Sequence, residues 1–166
     1  TDNFSQLNEL INTYKDNFPD NDNIKIIQFD NFRNLYFNQK YKELIEYAND
    51  INISDENIYN SYETNYFLAE SYYKLNQLEN AENTYNILID SINSKYYSRS
   101  LNRLANINLK LKLYDKSLEF YKSLELNSKN NRERVDAYIG SLTNYYFLKK
   151  YDSVHYYSSL INNYDK

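Results

Sequence analysis

The chain has 166 residues, a formal net charge of −4 and 42% hydrophobic residues, enough apolar content for a continuous core and too much for a disordered chain. A single glycine (Gly140) and a single proline (Pro19) argue against the many tight turns of an all-β domain and favour helices joined by short polar turns. The absence of cysteine excludes disulfides, thiolate metal ligands and thiol nucleophiles.

Taken in order, the chain opens with Phe4, Leu7, Ile11 and Tyr14, apolar positions at helical spacing, and Pro19 then stops the helix. This segment, 1–20, has the form of a second helix whose partner is missing. Between 21 and 54, Phe32 and Leu35 mark one helix, and Tyr41, Leu44, Ala48 and Ile51 mark another. Between 55 and 93 the stripe Leu68, Ala69, Tyr72 and Leu75 is broken at Asn76-Gln77, and a second stripe follows with Leu78, Ala81, Tyr85 and Leu88. The segment 94–128 repeats that pattern with Leu101, Leu104, Ala105 and Leu111, a turn at Lys112-Leu113, then Tyr114, Ser117, Tyr121 and Leu124. The last segment, 129–166, keeps it with Tyr138, Leu142, Tyr145 and Leu148, then Tyr151, Val154 and Ile161.

Each second helix starts with a similar phrase, at Tyr41, Leu78, Tyr114 and Tyr151, at spacings of 37, 36 and 37 residues. A fixed period of this size marks a helical solenoid, whose units cannot bury their apolar faces alone and must stack on one another. Ala69 recurs as Ala105 and Ala81 as Ser117, small side chains that let paired helices approach closely. Residues 1–166 are therefore expected to form a single repeat domain of about nine antiparallel helices. The chain has no methionine, even at Thr1, so it is expected to be an excised or processed piece of a longer protein.

The pattern Leu68-Ala69-x-x-Tyr72 followed by Leu78-x-x-Ala81-x-x-x-Tyr85 resembles the tetratricopeptide repeat, and the resemblance covers essentially the whole chain. It implies an all-α, right-handed superhelical solenoid whose first helices line a concave groove. Carried over by position, the groove side chains are Arg33, Tyr36 and Phe37, then Tyr66, Glu70, Tyr73 and Lys74. Arg99, Asn102, Asn106 and Lys110 follow in the third repeat and Tyr146 in the fourth, with Ile26, Phe29, Glu63, Leu109, Asp136, Ile139, Thr143 and Phe147 at further groove positions. These residues are expected to bind a partner protein or peptide, because Tyr and Arg anchor interfaces more often than most residue types. The residues from Tyr96 to Ile161 further resemble repeats in long multi-repeat proteins of the gram-negative cell envelope, which implies a periplasmic or envelope-associated location. A cytoplasmic location is the alternative.

Chemistry has little support. His155 is the only histidine, no glycine-rich loop exists to cradle a phosphate, and carboxylate pairs such as Glu43/Glu46 and Glu79/Glu82 stand among solvated residues. No enzymatic activity, cofactor or metal is expected. Acidic residues outnumber basic ones by 23 to 19, which disfavours nucleic acid, since a polyanion demands a basic stripe. No apolar run is long enough to span a bilayer, so membrane insertion of this segment is not expected.

One specialised use of the fold can be checked by position. Repeats that clamp the C-terminal carboxylate of chaperones need Lys and Asn, then Asn, then two basic residues, where this chain has Phe29 and Arg33, Phe67, and Arg99 with Arg103. Only the last pair agrees. The expected function is thus a non-enzymatic interaction module or scaffold. The alternative is a sensory or carbohydrate-binding helical-repeat domain in which exposed Tyr and Phe stack on a ligand. Without capping helices, Ile11, Tyr146, Tyr157 and Ile161, together with Phe4 and Leu7, should be poorly covered and promote weak self-association.

Overall fold

The computed structural model describes residues 2–18, 23–51 and 61–164, and among these it contains nine α-helices and no strand. They divide into two compact units, 1–75 and 76–166. The first unit holds α1 (Asp2–Asn17), α2 (Asn23–Phe37), α3 (Tyr41–Asp50) and α4 (Ser61–Lys74). The second holds α5 (Leu78–Leu88), α6 (Tyr97–Lys110), α7 (Tyr114–Asn127), α8 (Asn131–Phe147) and α9 (Tyr151–Asn162). The division falls at Asn76, within the segment 55–93 that the sequence marks as one repeat. Pro19 and the segment borders at 20/21 and 54/55 lie outside the described residues.

The four phrase-opening residues Tyr41, Leu78, Tyr114 and Tyr151 are the first residues of α3, α5, α7 and α9. What precedes each is a turn of one design. Gln39, Asn76, Lys112 and Lys149 all adopt the left-handed conformation, with φ of 58°, 57°, 61° and 58°. Around three of them the backbone bonds take the same form: Gln39 N–H donates to Tyr36 O and Lys40 N–H to Leu35 O, Lys112 to Leu109 and Leu113 to Asn108, Lys149 to Tyr146 and Lys150 to Tyr145. This is the Schellman closure, which satisfies carbonyls that a helix end would otherwise leave open. Glycine is the usual occupant because it has no Cβ to clash; here Gln, Asn and Lys bear the strain instead.

Helix packing in the first unit centres on Phe29, Phe32, Leu35, Leu44, Tyr47, Ala48, Phe67 and Leu68, with Phe32 fully buried and its ring 5.3 Å from that of Tyr47. Ile11 on α1 is buried, against the expectation that this end of the chain is uncovered. The side chains of Phe4 and Leu7 lie outside the described residues.

In the second unit, polar links thread the core. Ser117 on α7 donates to the Ala105 carbonyl on α6 at 2.8 Å and accepts from Asn144 Nδ2 on α8 at 3.0 Å. The small residues at 105 and 117 thus bring backbone and hydroxyl into direct contact. Glu82 on α5 accepts from Asn108 on α6 at 3.0 Å and from Lys116 on α7 at 2.7 Å. Burial works against ionisation of Glu82, but the two hydrogen bonds and the Lys116 charge outweigh it and hold the carboxyl below its usual range.

Gly140 on α8 has a packing reason. A Cβ placed there would stand 2.1 Å from Cζ of Tyr121 and 2.2 Å from its Cε1, so the absence of a side chain is what lets the Tyr121 ring cross α8. Tyr85 and Tyr121 are both buried, as the motif implies. Tyr157 is buried as well, against the expectation that it is poorly covered: its ring meets those of Tyr138, Tyr145 and Tyr156, and its hydroxyl donates to Glu125 at 3.2 Å, while Ile161 is half-buried. Tyr146 is 59% exposed as expected, while Leu75 and Leu111, read as the last members of apolar stripes, are exposed at the turns. No helix among the described residues is long and apolar enough to cross a membrane.

Candidate functional site

In the second unit, α6 buries Leu101, Leu104, Ala105, Ile107 and Asn108 and turns Arg99, Asn102, Arg103 and Asn106 outward to varying degrees. Facing them, α8 buries Ala137, Tyr138, Ser141 and Asn144 and presents Arg132, Glu133, Asp136, Ile139 and Thr143. Two cavities open between these faces, of about 400 and 380 Å³, and Asn102 and Asp136 line both. The first is walled by Ser98, Arg99, Asn130, Arg132 and Glu133 over Leu124; the second by Arg103, Asn106, Leu109, Ile139 and Thr143 over Tyr121 and Gly140. Both cavities rest on side chains of α7, buried Leu124 and Tyr121, so their depth is set by the core itself.

Local structure fixes the walls. Asn130 is the N-cap of α8, its Oδ1 accepting from Glu133 N–H at 2.9 Å, and Glu133 Oε2 accepts from Lys129 N–H at 2.9 Å. These two bonds set the direction in which the first turn, with Arg132 and Glu133, enters the groove. Arg134, one residue on, is drawn away to Ser128 Oγ and the Tyr164 hydroxyl, at 3.1 and 3.0 Å. Asn106 Nδ2 donates to the Asn102 carbonyl at 2.8 Å and to its Oδ1 at 2.6 Å, holding the two amides in line one turn apart. The groove therefore offers three guanidinium groups, two carboxylates and three amides above an apolar floor.

Of the residues implied by the resemblance, Arg99, Asn102 and Asn106 come together here, and Asp136, Ile139, Thr143 and Leu109 join them. Lys110 and Tyr146 stand on the last turns of α6 and α8 and line neither cavity. Arg132, Glu133 and Asn130 are not among the positions that the resemblance implies. The spacing Asn130-x-x-Glu133, an N-cap signature, is the signal that places them at the start of α8 beside the groove.

The first unit is different. Phe29 is buried in the core, and Tyr36 stacks on buried Phe67 at 4.5 Å with an interplanar angle of 25°. Phe37, 65% exposed, meets the same Phe67 ring edge-on at 5.7 Å, and Tyr66 packs against the same core. Arg33 lies 5.8 Å from the centre of the Phe29 ring and 3.8 Å from Asp30. Tyr73 is half-buried and Lys74 exposed. Glu70 is 2% exposed and ceases to be a surface candidate: α4 is buried along the whole run Phe67–Ser71, so no face is left for it to present to a partner.

His155 is exposed on α9 and lines neither cavity. Among the described residues no group of three or more His, Asp or Glu is placed to hold a metal.

Paired helices, a repeated left-handed turn and small residues where helices touch define the class: this is an all-α fold of tetratricopeptide-like repeats. Among solved structures, the chain is similar to a single-residue variant of nearly identical TPR-like repeats from a kinesin light chain of Podosopora anserina, with a TM-score of 0.68 and 10% identity, over 95% of this chain and 82% of that one. No protein-family profile matches the sequence, and no curated protein matches it.

Proposed function

We propose that this chain is a non-enzymatic interaction module that holds a peptide segment of a partner protein between α6 and α8. The observation that carries this reading is the pair of contiguous cavities in which Asn102 and Asp136 serve both, flanked by Arg99, Arg103, Arg132 and Glu133. An extended peptide exposes an unpaired donor and acceptor at every residue, and amides that can donate and accept suit that backbone. Guanidinium groups beside carboxylates suit a segment carrying both signs of charge, with the arginines taking carboxylates in two-pronged fashion. The reading as a carbohydrate-binding domain lacks support here, because the only aromatic lining either cavity, Tyr121, is buried beneath it. The division of the chain into a leading helix and four repeats is part of the same proposal.

The test is selection of binders from a random peptide library with the intact chain and with an Arg99→Ala/Asn102→Ala variant. Interface anchors typically contribute more than ~1 kcal/mol each, so the variant should lose affinity for the selected peptides by well over tenfold while its helical circular dichroism is unchanged. Equal affinity for both proteins would refute the groove as the site.

A further inference from the structure

The chain as a whole is acidic, but its charge is unevenly divided. Residues 1–75 carry six Lys and Arg against thirteen Asp and Glu, and residues 76–166 carry thirteen against ten. Part of the basic excess gathers where α6 and α8 end. The turn after α6 exposes Lys112 between Leu111 and Leu113, which are 46% and 48% exposed. The turn after α8 exposes Lys149 and Lys150 between Phe147 and Tyr151, 50% and 62% exposed. The two turns are neighbours, since Tyr114 at the start of α7 stacks on Phe147 at the end of α8, with ring centroids 5.1 Å apart and planes inclined by 11°. One edge of the second unit therefore presents aliphatic, aromatic and lysine side chains together, with the exposed carboxylates of Asp115 and Asp152 in the helix turns that follow.

We propose that this edge docks the second unit onto an anionic bilayer surface. Lysines flanking exposed leucine and aromatic groups fit the headgroup boundary, where ammonium groups meet lipid phosphates while apolar side chains reach the acyl layer and Phe and Tyr rings lie between. The same side chains stand at the tips of turns, whereas the two cavities open on the α6/α8 face, so the edge suits a plane and not a peptide that needs a groove in which to lie. The contact is peripheral and requires no spanning helix. It uses none of the residues that line the two cavities, so either reading stands or falls alone.

The left-handed turn supplies its own conservative variants. Gln39 occupies in the first unit the backbone geometry that Lys112 and Lys149 occupy in the second, so Lys112→Gln/Lys149→Gln removes two charges with the turn intact. The experiment is co-sedimentation of the full chain with vesicles of phosphatidylcholine alone and of phosphatidylcholine mixed with phosphatidylserine. The intact chain should bind the mixed vesicles, bind them less at high salt, and leave the neutral ones in solution. A lysine near an anionic surface is worth about fivefold in partitioning, so the double variant should bind about 25-fold more weakly. Leu111→Ser/Leu113→Ser should weaken binding further, and Arg99→Ala/Asn102→Ala should not change it. Absence of binding, equal binding to neutral vesicles, or full binding by the double glutamine variant would overturn the proposal. So would binding of an acidic leucine-bearing peptide at this edge by a protein that ignores the vesicles.

Discussion

Gly140→Ala sets two opposed effects against each other at one helical position. In the interior of a helix, Ala is favoured over Gly by about 1 kcal/mol, so a helix-propensity argument predicts a more stable protein. Packing predicts the reverse. The new Cβ would lie 2.1 to 2.5 Å from three atoms of the Tyr121 ring, well inside any carbon contact distance, and that ring is 3% exposed with core on its far side. Either the ring or α8 must shift by more than an ångström, and overpacking of this kind costs about 1–3 kcal/mol. Since the overlap is large, the cost falls at the upper end, leaving a net loss of about 2 kcal/mol, or about 4–8 °C in melting temperature for a chain of this length. The decisive assay is a double-mutant cycle by urea denaturation with Tyr121→Leu. In the shortened background the three ring atoms that the Cβ would strike are gone, so Gly140→Ala should there be neutral or stabilising. If Gly140→Ala raised stability in the native background, the account of how α7 and α8 meet would be wrong.

At the left-handed turns, Lys112→Gly should stabilise by up to ~1 kcal/mol, the relief of a strained φ less the entropy gained by the unfolded chain, whereas Lys112→Val should destabilise; thermal melts of the two variants check the order. Because the Glu82 carboxyl is held below its unfolded-state pKa, its contribution is in place at neutral pH and is lost as pH falls through the carboxylate range. Glu82→Gln should therefore lower the melting temperature near neutrality and match the native protein in strong acid, and a constant difference across the range would refute the role of Lys116. Tyr47, Tyr72, Tyr138 and Tyr157 all have their pKa raised above 10.0, by burial first of all, so stability should hold below that value and decline as pH rises through it. An alkaline melt with no transition before strong base would contradict their burial.

Where the chain turns was legible in the sequence because the turn register repeats, and each second helix begins at the residue that opens the repeated phrase. The identity of the turn residue itself was not a guide: a search for glycine finds none at Gln39, Asn76, Lys112 or Lys149, since helix packing on both sides imposes the left-handed φ regardless of residue type. Arg99, Asn102 and Asn106 were placed on the groove by their position in the repeat. Glu70 was put there by the same rule, yet it is buried, because a repeat position does not reveal that α4 is covered from Phe67 to Ser71. The burial of Tyr157 was hidden for a similar reason: its cover comes from rings on α8, its own helix and a carboxylate on α7, residues brought together by packing. Gly140 was visible as the only glycine, but its reason, a ring belonging to the preceding helix, exists only in three dimensions.

The Ser117 hydroxyl, joined to the backbone of α6 and to the amide of α8, also bears on how the second unit would yield under load. In an array whose helices touch only through apolar surface, pulling on the ends peels units away one at a time. Here α6, α7 and α8 share a polar link away from water, and withdrawing α7 breaks both of the Ser117 hydrogen bonds at once. Pulled from its C-terminus in a force-spectroscopy experiment, the unit should therefore lose α6, α7 and α8 together, in one rupture, and not helix by helix.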